Sequence, residues 1–420
     1  MPRRKWDVGP ILDPAPAHPR NTSRAQNKHN CCVIHSLPAS PRRSLLVAAL
    51  SLLLANGAGA QSESQLTSEQ IDRVGALAGN AADAKEDGKP NFVALPIPLS
   101  DPAIGTGLTL VGAALYNPNH SVRPWVTGAG AMFTDNGSRA FGAAQQASFW
   151  QDKLRLVGFV GRADLNLRFY GIGAAAGDRQ ISIPIGEDGR LVLLQGLYGV
   201  TPDLFVGLRW LDLRLKTTVD PQELNNELGI NLPPLEFDHR TTTLGPALDY
   251  DTRDNQFMPS QGSYGTLRIG FASPNFGSDV SYRNLRASFA HYWSVSPQVI
   301  VAGRISTCAV DGNVPFTELC LYGTSNDLRG YTGGQYRDKA MYAAQAEARW
   351  RFAERFGAVF FAGTGAVART YSDLWSVRQL PAAGFGIRWL ASTKYKVNVS
   401  VDMAFARNDQ AVYFYLGEAF

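Results

Sequence analysis

Residues 341–352 read MYAAQAEARWRF, and this stretch decides the fold class. Polar and apolar side chains alternate along it. The polar positions are Gln345, Glu347, Arg349 and Arg351. The apolar positions are Tyr342, Ala344, Ala346, Ala348, Trp350 and Phe352. Because successive side chains of a β-strand point to opposite faces, the stretch predicts a strand with one charged face and one apolar face.

The same alternation recurs in segments of about ten residues that are separated by turn residues. Residues 395–405, for example, carry Lys396, Asn398, Ser400 and Asp402 on one face and apolar side chains on the other. The segments start near Gly105, Val122, Ser138, Lys153, Leu165, Leu191, Leu204, Thr241, Ser263, Val280, Val299, Met341, Gly357, Ala382, Lys394 and Ala411. They number about 16, and an even count is typical of bacterial outer-membrane barrels.

Two architectures are built from such strands: a soluble β-sandwich or propeller with an apolar inside, and a membrane barrel with an apolar outside. The lengths of the connections favour the barrel. Short connections after even-numbered segments are residues 134–137, Asp164 alone, 201–203 and 353–356. The long segments, which all follow odd-numbered strands, are residues 174–190, 216–240, 308–339 and 370–381. Long loops on one side only are typical of outer-membrane barrels, so we predict an all-β protein, a transmembrane antiparallel β-barrel of about 16 strands.

The N-terminal region predicts export. Residues 44–55 (SLLVAALSLLLA) are the longest apolar run and are shorter than the about 20 residues of a spanning helix. Arg42 and Arg43 precede this run, and the small residues 58–60 follow it, which indicates a secretory signal cleaved after Ala60. A buried core helix is the alternative. The predicted organisation is a leader and signal peptide over residues 1–60, a short periplasmic segment over 61–95 and the barrel over 96–420.

Composition and the scarcity of reactive side chains point away from several functions. The formal net charge of +4 includes the basic leader, so we expect no nucleic-acid partner. The mature chain holds His120, His239 and His291 without a catalytic or zinc-binding spacing, and we expect no enzymatic activity, no metal and no cofactor. In an oxidising compartment Cys308 and Cys320 could form a disulfide, and two free thiols are the alternative.

Three motifs resemble a known class of barrel. Phe420 ends the stretch VYFYLGEAF and resembles the sorting signal of outer-membrane barrels, although Glu418 stands where that signal has an apolar residue. A second motif resembles the strand-and-turn signature of the bacterial surface antigen barrel and comprises Asp251, Arg253, Asp254, Pro259 and Gly262. The third resembles the tip of the sixth extracellular loop in BamA/TamA-type outer-membrane assembly factors and comprises Leu328, Arg329, Gly330 and Tyr331.

The resemblance implies a place and an internal lock. It implies the bacterial outer membrane, with outer-membrane lipid as surroundings. In the family, the tip arginine folds back into the barrel interior and meets inward-facing acids, so the resemblance pairs Arg329 with Glu347. The second acid of the family, expected on the following strand, is replaced near Gly363.

The resemblance also implies a function. Members assist insertion or translocation of polypeptides at a seam between the first strand, here expected at residues 105–116, and the last, at 411–420. Client outer-membrane proteins would then be partners. The family's periplasmic POTRA domains would not fit into residues 61–90, so a separate periplasmic partner is expected. Two alternatives remain open: a surface-exposed structural antigen, and a pore or transporter for small solutes or lipids lined by Arg349, Arg351, Lys396 and Asp402.

Overall fold

A computed structural model describes residues 91–120, 123, 125–219, 221, 233–256, 258–324, 327–392, 397–407 and 409–420. The predicted leader, signal peptide and residues 61–90 therefore lie outside the described residues, as do Lys394 and Lys396. The strands are β1 (Asn91–Asp101), β2 (Gly105–Tyr116), β3 (Trp125–Thr134), β4 (Arg139–Phe149), β5 (Leu154–Phe169), β6 (Ile183–Gly199), β7 (Leu204–Val219), β8 (Leu235–Asp251), β9 (Gly262–Ala272), β10 (Tyr282–Ser296), β11 (Val299–Gly312), β12 (Cys320–Tyr322), β13 (Tyr336–Asp338), β14 (Ala340–Arg351), β15 (Phe356–Ala368), β16 (Ala382–Ser392), β17 (Val397–Ala406) and β18 (Gln410–Leu416). The helical pieces among the described residues are α1 (Ala174–Asp178) and three 3₁₀ turns (Pro274–Phe276, Phe316–Glu318 and Ser372–Trp375).

Sixteen of these strands form one antiparallel sheet in which each strand pairs with its neighbours along the chain. The sheet curls until β1 lies beside β18, which gives a nearly closed barrel. β12 and β13 form a separate two-stranded sheet within the connection between β11 and β14. The predicted fold class and strand count are confirmed. None of the helices in the described ranges is both long and apolar enough to span a membrane.

The strand count is right although two individual strands were predicted wrongly. The sequence prediction missed β1, which begins at Asn91 and holds Pro96 and Pro98, residues that argue against a strand. It also placed a turn at Asp164, whereas β5 runs straight through that residue. Asp164 instead lies opposite Arg139 of β4 and pairs with it at 2.8 Å. One missed strand and one divided strand cancel in the total.

The long connections lie at one end of the barrel. Residues 170–182, 220–234, 313–339 and 369–381 join strands at this end, which we call the long-loop end. Residues 150–153, 200–203, 297–298 and 352–355 join strands at the opposite, short-turn end. The asymmetry thus agrees with the prediction. The short hairpin at residues 135–138 belongs to the long-loop end, because the missed β1 shifts the numbering of the first connections.

The two faces of the barrel wall differ in composition along the sheet. On β14 the polar face points inward, with Glu347 and Arg349 buried, while Trp350 on the outer face is 48% exposed. On β5 to β7, by contrast, the inward side chains are mostly apolar, as in Phe159, Leu193 and Leu213. The interior therefore has an apolar half beside the early strands and a charged half beside the late ones.

Candidate functional site in the barrel interior

The tip of the long connection between β11 and β14 is folded into the barrel. Leu328 and Arg329 are fully buried, and Tyr331 is buried almost as completely. A disulfide between Cys308 of β11 and Cys320 of β12 ties the loop to the wall, which is the pair named from the sequence. Below the tip, β12 and β13 pair with each other and hold the two sides of the loop together. The loop is therefore held at its base by a covalent bond and at its tip by burial.

Arg329 is the centre of the buried contacts. Its Nη2 donates to Glu347 Oε2 at 2.5 Å, and its Nη1 donates to a carboxylate oxygen of Asp402 on β17. Nη1 also donates to the Tyr415 hydroxyl at 3.1 Å, and Nε donates to Gln345 Oε1 at 3.3 Å. The guanidinium lies over the Phe361 ring, 3.6 Å from its centroid. The structure thus brings Arg329 to Glu347, and it supplies a second acid that sequence reasoning did not assign.

Further ion pairs extend this contact across the interior. Arg349 Nε donates to Glu347 Oε1 at 2.6 Å, and Arg388 on β16 pairs with Asp402. Arg388 Nε also donates to Glu418 Oε2 at 2.7 Å. We call the six residues the interior charge cluster: Arg329, Arg349, Arg388, Glu347, Asp402 and Glu418. Its side-chain charges sum to zero, which is the condition under which buried charges are tolerated; removing one partner typically costs about 3–5 kcal/mol.

Two glycines make room for the loop tip. Gly330 has φ +126°, a conformation that L side chains rarely adopt, and its Cα faces Ala382 and Ala406 of the wall. At Gly363 a Cβ atom would collide with the Leu328 side chain and the Ala344 carbonyl. Where the sequence comparison expected a second acid near position 363, the wall instead leaves space for Leu328. Asp402 takes the acidic role from another strand.

The tip also reaches the last strand of the sheet. The Gly330 amide donates to the Tyr413 hydroxyl at 3.0 Å, and the Tyr331 hydroxyl donates to the Pro381 carbonyl at 2.8 Å. Thr332 donates through its amide and hydroxyl to Asp409, at 2.8 and 2.9 Å. Burial raises the pKa of the Tyr331 phenol to about 12. The loop tip is thereby fastened to the region of β18.

The strand-and-turn motif forms a compact turn at the short-turn end. Arg253 donates from Nε and Nη2 to the two carboxylate oxygens of Asp251, both at 2.8 Å, and its guanidinium lies over the Tyr264 ring. Asp254 accepts from the Ser260 amide at 2.9 Å, and Gly262 has φ +100° against the Thr252 backbone. The Pro259 carbonyl accepts from Arg349 Nη1 at 3.2 Å. The turn is thus connected to the interior charge cluster.

Phe420 does not end a strand of the wall. β18 stops at Leu416, and residues 417–420 turn inward. Phe420 is 2% exposed and packs against Tyr292 and Ala302, and its main-chain oxygen accepts from Arg349 Nη2 at 2.7 Å. Glu418 explains this course, because its carboxylate reaches Arg388 and Asn398 inside the barrel. The departure from the sorting pattern is therefore a requirement of the interior.

The family assignment follows from a comparison with known proteins. A family model described as the Omp85 superfamily domain matches residues 125–420. The chain belongs to the Omp85 superfamily. No curated protein sequence matches it.

Solved Omp85-type barrels show the same fold at low sequence identity. BamA from Haemophilus ducreyi, in a form that lacks POTRA domains 1–3, is 14% identical with a TM-score of 0.53, over 79% of this chain and 70% of that one. CdiB from Escherichia coli is 13% identical with a TM-score of 0.54, over 88% of this chain and 74% of that one. CdiB from Acinetobacter baumannii is 8% identical with a TM-score of 0.50, over 83% and 68%. At such identities the likeness shows the fold alone.

Other residues named from the sequence do not join the cluster of this Omp85 barrel. Arg351 is exposed at the short-turn end and contacts Met258 Sδ at 3.4 Å.

Arg388 and Glu418 belong to the cluster but were not predicted as partners, although the alternation along β16 could have placed Arg388 on the inward face. Across the described ranges, no group of three His, Cys, Asp or Glu side chains could hold a metal ion. The arrangement holds the tip of the chain's own long loop inside the barrel.

Proposed function

We propose that this Omp85 barrel resides in the bacterial outer membrane and assists the insertion or translocation of other polypeptides there. The observation that carries the proposal is the seam between β1 and β18. These strands are neighbours, yet among the described residues no strand ladder pairs them. The Ser100 hydroxyl donates across the seam to the Val412 carbonyl at 3.2 Å. Unpaired strand edges in hydrocarbon favour pairing with another strand, and a client polypeptide can supply one.

The sequence of β1 accounts for the missing ladder. The β1–β2 register runs unbroken through Pro96 and Pro98. In an antiparallel pair, residues two apart direct their backbone groups to the same neighbour, so both prolines lack amide donors on one edge. Because β2 remains paired along all of β1, we assign that edge to the side facing β18. The seam is therefore weak by composition.

The loop tip supports a seam with one fixed side. Gly330 and Arg329 hold the hydroxyls of Tyr413 and Tyr415 on β18 from inside the barrel. Residues 417–420 add the contacts of Glu418 with Arg388 and Asn398. Of the described β1 side chains, Leu99 packs in the apolar half of the interior, and none forms a hydrogen bond with the loop tip. We therefore infer that β1 moves and that β18 stays in place when the seam opens.

The partners follow from this role. Clients would be outer-membrane or exported polypeptides that can present a strand, and outer-membrane lipid would surround the outer wall. A separate periplasmic protein would deliver clients. The pore alternative predicts an open interior, but the loop tip and residues 417–420 both lie within it. No enzymatic step is expected in the proposed role.

A disulfide across the seam tests the proposal. Ser100→Cys with Val412→Cys should form a disulfide on oxidation, because the Ser100 side chain already reaches the Val412 backbone across the seam. With native Cys308 and Cys320 retained, we expect the locked barrel to lose its support of client insertion, measured as folding of a client barrel into liposomes that contain the protein. Reduction should restore that support.

The matched control places the same bond between strands that should not separate. Thr266→Cys with Ser288→Cys joins β9 to β10, where the two hydroxyls lie 3.0 Å apart. This variant should remain fully active when oxidised. Equal activity of the locked seam and the wild type would contradict the proposal, and steady ion conductance unaffected by loss of residues 328–331 would favour a pore.

A further inference from the structure

The outer wall carries a row of arginines that the proposed role does not use. In the ladders of β5 to β8, Arg162 lies opposite Arg190, Arg190 opposite Arg214, and Arg214 opposite Arg240. Inward neighbours such as Leu191, Leu213 and Thr241 are buried, which places the four arginines on the outer face. We call these four residues the arginine row. Like charges directly opposite each other destabilise a sheet, so stability of the sheet does not account for the row.

The row sits where the apolar surface ends. Counting toward the long-loop end, the preceding outward row is Val160, Val192, Asp212 and Thr242, and the one before it is Gly158, Leu194, Trp210 and Leu244. The row that follows the arginines is Asp164, Asp188, Lys216 and Asp238. If the apolar rows face the acyl chains, the row lies just above the hydrocarbon, and because strands of such barrels tilt by about 40°, it runs obliquely through that layer. Lipid headgroups occupy that layer.

The carboxylates around the row neutralise it only in part. Arg162 pairs with Asp188 at 2.7 Å, and Arg240 pairs with Asp212. Arg214 lies 3.7 Å from the same Asp212, which two arginines therefore share. Arg190, between Arg162 and Arg214, is exposed, and no ion pair of the described residues involves it. Positive charge is left over at the middle of the row.

The surface at this point is also concave. A depression of about 440 Å³ is lined by four cationic side chains and three carboxylates, together with Leu215 and His239; the charged residues are Arg190, Arg214, Lys216, Arg240, Asp188, Asp238 and Asp279. A guanidinium presents several N–H donors that match the oxygens of a phosphate group. Three arginines of the row, Arg190, Arg214 and Arg240, line this depression. We propose that the arginine row binds the phosphate groups of an anionic lipid in the membrane leaflet at the long-loop end. The acyl chains of that lipid would lie on the apolar rows below.

This inference rests on the outer-membrane location proposed above, but its test does not depend on activity at the seam. The probe is bisphosphorylated lipid A, with dephosphorylated lipid A as the matched ligand, added to the full-length mature barrel in neutral detergent. Native mass spectrometry then reports the bound lipid. The test variant combines Arg162→Gln, Arg190→Gln and Arg214→Gln. The control variant removes the same charge elsewhere through Arg283→Gln on β10, Arg355→Gln in the short turn after β14 and Arg378→Gln in the connection between β15 and β16.

The wild type and the control should bind bisphosphorylated lipid A equally, and the test variant should bind it on the order of a hundredfold more weakly, about fivefold for each arginine lost. Dephosphorylated lipid A should bind all three proteins weakly. All variants should keep the heat-modifiable mobility of a folded barrel, which excludes misfolding as the cause.

Three results would overturn the inference. These are equal binding by the test variant and the wild type, equal binding of both lipids, and complete displacement of the lipid by excess inorganic phosphate, which would indicate a site for any anion. A defect at the seam leaves all of these measurements unchanged. Failure of the proposed function and failure of this inference are therefore distinguishable.

Discussion

Two groups of arginines in this barrel face opposite surroundings. Arg329, Arg349 and Arg388 lie inside, buried, and each contacts at least one carboxylate. In the arginine row on the outer wall, Arg240 is partly exposed and the other three are exposed, and no ion pair of the described residues involves Arg190. An unpaired interior charge is costly, which favours ion pairs for these three buried guanidinium groups, whereas exposed charges at a lipid boundary remain available to an external anion. Fixed structure and ligand binding thus arise from the same residue type.

The largest expected effect comes from breaking the interior group at its centre. Arg329→Ala leaves the three carboxylates of the interior charge cluster with only two arginines, and it should destabilise the barrel by about 3–5 kcal/mol. The measurement is urea unfolding followed by tryptophan fluorescence. Stability equal to that of the wild type would show that the loop tip is not held by charge.

A slightly smaller effect is expected from removing the covalent tie of the loop. Cys308→Ser with Cys320→Ser removes a disulfide that closes a short loop, and the free energy of unfolding should fall by about 3 kcal/mol or less. Protease cleavage within residues 313–339 should become faster as well. If cleavage is unchanged, burial of the tip alone holds the loop, and the disulfide is redundant.

The edge of the interior group should matter less than its centre. Glu418→Gln keeps a partner for Asn398 but removes a charge from Arg388, which still has Asp402. We expect a loss of about 1–3 kcal/mol and greater exposure of residues 417–420. Hydrogen exchange of this segment measures the second effect. A loss as large as that of Arg329→Ala would mean that the cluster has no single centre.

The smallest effects are expected on the outer wall. Arg162→Gln removes an exposed cross-strand ion pair with Asp188, and the melting temperature should fall marginally. Arg190→Gln removes no ion pair and relieves repulsion between neighbours, so the melting temperature should stay unchanged or rise. A marked loss of stability in Arg190→Gln would contradict the contrast between the two groups.

Local patterns predicted the wall of the barrel better than its interior. The alternation over residues 341–352 is a property of one strand, and it placed Glu347 and Arg349 inward without knowledge of any neighbour. β1 was missed because Pro96 and Pro98 argue against a strand unless one edge is known to be unpaired. Asp164 was taken for a turn because its partner Arg139 lies on the neighbouring strand, and the register is not written in either segment.

The partners of Arg329 needed the closed barrel. Glu347 was predicted from the family resemblance, whereas Asp402 and the link through Arg388 depend on which inward positions meet across the interior. The arginine row shows the same limit on the outside. Each of its members lies on a separate strand, and only the registers of three consecutive ladders bring them side by side.

Because of its prolines, β1, the N-terminal rim of the seam, offers fewer backbone hydrogen bonds to a client polypeptide than β18, the C-terminal rim. A client strand that pairs with β18 meets an amide donor at every β18 residue that faces the seam. A client strand that pairs with β1 meets carbonyl acceptors but no amide donors at positions 96 and 98. Capture should therefore begin at the C-terminal rim. The N-terminal rim would then act as the side that yields.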